Sequence, residues 1–75
     1  MEQLSPYISI NYDIRFGKPC IKGTRIAVGD ILQWLADGKT KDEIMLDFPL
    51  IKKEHISAAL GFAAKREYIS MVVSV

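Results

Sequence analysis

The chain predicts a mostly α-helical domain. It has a three-helix core of helix-turn-helix layout, a short N-terminal β strand and hairpin before it, and a strand-like C-terminal tail after it. Three observations carry this expectation. Apolar residues recur at helical spacing in three successive segments between residues 28 and 67. Gly38 and Pro49 separate those segments. At residues 7–13 and again at 68–75 the apolar residues alternate instead with polar ones, the period of a half-buried strand. The organisation is one domain over 1–75, with a strand and hairpin arm at 7–26, the helical core at 28–67 and the tail at 68–75.

The first strand rests on Ile8, Ile10 and Tyr12, which alternate with Ser9, Asn11 and Asp13. In the segment that follows, Gly17 and Pro19 interrupt the pattern. Lys22-Gly23 suits a tight turn joining Cys20-Ile21 to Thr24–Ile26. Helix one spans about 28–37, with Val28, Ile31, Leu32 and Leu35 on one face, Asp30 favouring the positive end of the helix dipole and Gly38 as the stop. Helix two opens on Thr40-Lys41-Asp42-Glu43, a capping box in which Thr40 caps and Glu43 reaches back. It buries Ile44 and Phe48 and ends before Pro49. Helix three, from about Lys52 to Glu67, turns Ile56, Ala59, Leu60 and Ala63 inward, and Gly61 in its middle weakens it by about 1 kcal/mol relative to alanine.

Composition limits the function classes. A chain of 75 residues, 49% of them hydrophobic, has more apolar surface than one small core covers, which favours a homodimer. The single cysteine, Cys20, excludes an intrachain disulfide and a cysteine-based zinc site, and suits a reducing cytoplasm. MEQLSPY lacks the basic start and apolar run of a secretory leader, and no run reaches the ~18 apolar residues of a membrane span. A net charge of +1 is far from the excess of a dedicated nucleic-acid binder.

Catalysis is the weakest reading. His55 and Cys20 lie far apart in sequence, with no recognisable third member for a nucleophilic constellation. A lone histidine near a helix start reads as a surface or capping residue, and Cys20 as a small buried hydrophobe. GKPCIKGT lacks the spacing of a phosphate loop. No catalytic residue, metal ligand or cofactor is assigned.

Three features point to binding. Residues 14–27 carry Arg15, Lys18, Lys22 and Arg25 without an acidic neighbour inside that stretch. Such an arm is either a solvated edge that discourages aggregation, or a contact for phosphates or an acidic partner. Helices two and three, joined by FPLI, have helix-turn-helix layout, so Lys52, Lys53 and Ser57 become candidate DNA contacts. The same three helices serve equally well for packing alone. The outer face of helix three, with Glu54, Ser57, Ala58, Gly61 and Lys65, is a poor base-reading surface. The uncharged tail, with Ile69, Met71 and Val73 alternating, must pair with the chain's own first strand, a dimer mate or a foreign edge.

The residues also carry a family resemblance. Gly17, Lys18, Pro19, Ile21, Gly23, Thr24, Arg25 and Ile26 are followed by Val28, Asp30, Gly38, Thr40, Glu43, Ile44, Asp47, Phe48 and Pro49. This series resembles the small bacterial and archaeal proteins of domain-of-unknown-function family 433, many treated as VapB-like antitoxins, and it extends from about Ile8 to Ala64. Ala27 stands where the family often has proline, Lys52 where it has threonine or serine, and Gly61 where alanine is common.

The resemblance implies a homeodomain-like three-helix fold. It also implies an antitoxin of a type II toxin-antitoxin system that neutralises a PIN-like ribonuclease toxin, with operator DNA binding as a second activity. Lys18, Lys22, Arg25, Ile69, Met71 and Val73 are then the expected partner contacts. The alternative function is a stand-alone helix-turn-helix transcriptional regulator.

Overall fold

The computed structural model describes the backbone of residues 5–73 and the side chains of residues 5–66. Strand β1 (Ile8–Ser9) pairs antiparallel with β2 (Cys20–Ile21), and helices α1 (Val28–Ala36), α2 (Lys41–Asp47) and α3 (Lys53–Val73) follow. The register sets Ile8 opposite Ile21 and Ser9 opposite Cys20. A further antiparallel bridge joins Cys20 to Ala27, so β2 is flanked on both sides. The turn between these arms is the expected one. The Thr24 N–H donates to the Ile21 carbonyl at 3.0 Å, with Lys22-Gly23 at its centre.

β1 is shorter than the alternation over 7–13 predicts, and Tyr12 is 84% exposed rather than inward. Asn11 ends the strand. Its Oδ1 accepts the Asp13 N–H at 2.9 Å and its carbonyl accepts the Ile14 N–H at 2.9 Å, so a local turn takes the groups a ladder would need.

The helix boundaries follow from capping. At the start of α1, Asp30 accepts the Ala27 N–H at 3.0 Å. At its end Gly38 adopts φ +97°, the Gly38 N–H reaches the Leu35 carbonyl and the Lys39 N–H reaches the Trp34 carbonyl. This closes the last turn in a left-handed cap that favours glycine. The capping box of α2 is formed as expected. Glu43 N–H donates to Thr40 Oγ1 at 3.1 Å, and Thr40 N–H donates to Glu43 Oε1 at 2.8 Å.

The core is built of isoleucine. Ile8, Ile21, Ile31, Ile44, Ile51 and Ile56 are buried together with Val28 and Ala59, and Trp34, Phe48 and Phe62 pack at its edge. Trp34 stacks on Phe48 with ring centroids 4.6 Å apart, linking α1 to the end of α2.

Two expectations for α3 are corrected. Leu60 is 41% exposed, because the buried stripe of α3 runs through Ile56 and Ala59 and turns away from it. The tail expected as a strand is helical through Val73. Extending a formed helix adds one hydrogen bond for each residue fixed, whereas a strand there would need a free sheet edge to pair with. The side chains of Ile69, Met71 and Val73 lie outside the described residues.

Candidate functional site

The arm between β1 and α1 is a fixed structure. Arg15, Phe16 and Gly17 hold successive φ values of +52°, +58° and +83°. Glycine tolerates that left-handed conformation, but for Arg15 and Phe16 it costs about 1–2 kcal/mol each. At Gly17 a Cβ would also lie 2.8 Å from Tyr12 Cδ1, so the exposed Tyr12 ring would have to move aside.

The contacts of Arg15 hold the turn in place. Its Nη1 donates to the Arg25 carbonyl at 2.8 Å and to Asp30 Oδ2 at 3.0 Å, tying the turn to the hairpin and to the first turn of α1. Asp30 thus serves two donors, the Ala27 N–H and Arg15. Burial pushes the Asp30 carboxyl up. The Ala27 N–H, the hydrogen bond and charge of Arg15 and the charge of Lys18 together outweigh that, and leave it below its ordinary value. The same hydrogen bond and charge raise Arg15 above its ordinary value. Thr24 secures the hairpin tip, its hydroxyl donating to the Ile21 carbonyl and accepting the Ile26 N–H.

On this scaffold Lys18, Lys22 and Arg25 are all exposed. Arg15 is occupied internally, which leaves three outward cations of the four expected. Phe16 was not anticipated. It is 95% exposed at the apex of the turn, and no periodicity marks it. Its signal in sequence is only a large aromatic placed directly before a glycine.

The other candidate residues sit at the start of α3. Lys52, Lys53 and Ser57 are exposed, and Lys53 and Ser57 line a shallow groove of about 480 Å³ with Glu54, Ala58 and the Ser5–Tyr7 segment. Lys52 carries no capping hydroxyl, and the reciprocal half of a capping box forms at the start of α3. His55 Nδ1 accepts the Lys52 N–H at 2.8 Å, and its ring meets Tyr7 edge-on at 5.3 Å. His55 is therefore a capping residue, as its position suggests. Cys20 is buried, its thiol donating to the Lys18 carbonyl. Among the described residues no three of His, Cys, Asp and Glu converge as metal ligands, and no helix is long and apolar enough to cross a membrane.

The segment holding the arm, the capped helices and the start of α3 is also the segment that matches a family. Residues 8–63 match the family described as "Protein of unknown function (DUF433)". The chain belongs to the DUF433 family. Among solved structures, the crystal structure of a DUF433 member protein from Anabaena variabilis ATCC 29413 is similar, with a TM-score of 0.79 and 25% identity over 96% of this chain and 72% of that one. No curated protein matches. In this DUF433 chain α1 is preceded by Ala27, whose N–H is the group that Asp30 accepts.

Proposed function

We propose that this DUF433 chain is an antitoxin-like binding module, acting as a homodimer in the cytoplasm and neutralising a PIN-like ribonuclease without catalysing a reaction itself. One observation supports it most directly: an arm with exposed Lys18, Lys22 and Arg25 and no acidic residue from 14 to 27, fixed to α1 through Arg15 and Asp30. A pre-organised cationic arm loses little freedom on binding and complements a carboxylate cluster. PIN-type sites are clusters of carboxylates, so a cation placed among them would compete with the metal. Arg25 or Lys18, both exposed, would suit that insertion. The tail residues Ile69, Met71 and Val73 enter this reading as a continuation of α3, not as an added strand.

The test is co-purification of the tagged full-length protein from its native host, alongside a chain ending at Glu67 and an Arg25→Ala variant. A stoichiometric small nuclease, released or left active by Arg25→Ala, supports the reading. A homodimer without any protein partner refutes it.

Operator binding is the second reading, favoured by Lys52, Lys53 and Ser57 each being exposed at the start of α3. It requires salt-dependent binding to the upstream DNA that weakens when Lys52 and Lys53 are replaced by alanine. Binding that is unaffected by those replacements would remove these residues from the interface.

A further inference from the structure

We propose that Phe16 is the anchor of the arm's interaction surface, received by an apolar recess in a partner protein whose rim carries carboxylates. This inference rests on the antitoxin reading. Phe16 is 95% exposed and is carried on a non-glycine residue in left-handed backbone. The chain therefore bears a local backbone cost at the residue that holds a phenyl ring in solvent.

The ring's mounting is rigid. Arg15, immediately before it, is bonded to both Asp30 and the Arg25 carbonyl, and the N–H groups of Gly17 and Lys18, immediately after it, donate to the Ile14 and Arg15 carbonyls. Interface anchors are typically rigid aromatics at the centre of a patch, surrounded by polar residues that exclude water. Lys18 lies two residues along the chain from Phe16, the Arg15 side chain ties the turn to the backbone of Arg25, and no acidic residue occurs from 14 to 27. A recess lined with apolar side chains and rimmed with carboxylates complements both parts.

Single-stranded nucleic acid fits less well. It needs a succession of stacking platforms along a basic groove. Here Phe16 forms no stacked pair with another ring among the described residues, which leaves it as an isolated knob.

The experiment is calorimetric titration of the purified PIN-like nuclease with wild type, Phe16→Ala and Phe16→Gly, and a parallel titration of labelled oligouridylate. Phe16→Gly relieves the backbone, so a melting temperature equal to or above wild type shows that the fold is intact. The anchor predicts that both variants bind the nuclease about tenfold or more weakly, while the oligonucleotide does not discriminate among the three proteins. Unchanged nuclease affinity overturns the anchor and leaves the antitoxin reading standing. A loss confined to the oligonucleotide overturns it in favour of base stacking. Failure of the wild type to bind the nuclease overturns both readings.

Discussion

Replacing Asp30 by alanine removes the group that joins the arm to α1, and the loss is calculable part by part. The carboxylate accepts the Ala27 N–H in the first turn of α1, and losing such a cap costs about 1 kcal/mol. Its charge lies at the positive end of the helix dipole, worth about 0.3–1 kcal/mol. The ion pair with Arg15 has both side chains 34% exposed, so solvent screening leaves it a minor contribution. Asp30→Ala should therefore destabilise the domain by about 1.5–2 kcal/mol, lowering its melting temperature by roughly 6–16 °C for a chain of this size. Asp30→Asn keeps an oxygen for Ala27 and loses only the charge, so it should cost about half as much.

Urea unfolding followed by circular dichroism measures both variants. The pH dependence supplies a second check. The folded carboxyl titrates below its ordinary value because the Ala27 N–H, Arg15 and Lys18 together exceed the opposing effect of burial. A depressed carboxyl stabilises the fold above the unfolded value of about 3.9, and that contribution is lost as the pH falls through the folded value. The stability gap between wild type and Asp30→Asn should accordingly close on acidification below about pH 4. An Asp30→Ala protein within about 0.5 kcal/mol of wild type at neutral pH would show that the latch holds nothing.

Two further substitutions probe the same scaffold. Gly17→Ala sets a Cβ at φ +83° against Tyr12 and should cost about 1–2 kcal/mol in denaturant unfolding. Tyr12 is exposed and its ring can swing aside, so adding Tyr12→Ala should recover less than half of that loss; full recovery would mean the ring, and not the backbone, was the obstacle. His55→Ala removes the acceptor for the Lys52 N–H and the edge contact with Tyr7, at about 1 kcal/mol. His55→Glu restores an acceptor at the same helix position and should regain most of the melting temperature, whereas equal losses in the two variants would deny His55 its capping role.

What was legible in the sequence was local. The Thr40–Glu43 box, the stop at Gly38 and the buried stripe through Val28 and Ile31 depend on residues three or four apart, which one chain displays directly. The hairpin tip at Lys22-Gly23 belongs to the same class. Long-range packing was not legible. Ile51 sits alone between Pro49-Leu50 and Lys52-Lys53, with no periodicity to mark it, yet it is fully buried because three elements converge there.

The site was half legible. Lys18, Lys22 and Arg25 stand out as cations without acids. The removal of Arg15 from that set depends on Asp30, fifteen positions away. The left-handed backbone at Arg15 and Phe16 that exposes the ring carries no periodicity, so it was equally hidden.

The residues just before α1 and α3, Ala27 and Lys52, each donate their N–H to a side chain three residues further on, Asp30 and His55. The side-chain half of each helix start is thereby supplied from inside the helix. Lys52 is exposed, so residue 52 is free to change with little thermodynamic consequence provided position 55 keeps an acceptor, whereas residue 27 is buried and bridged to Cys20. At α3, variation at the cap is permitted by the residue three positions on.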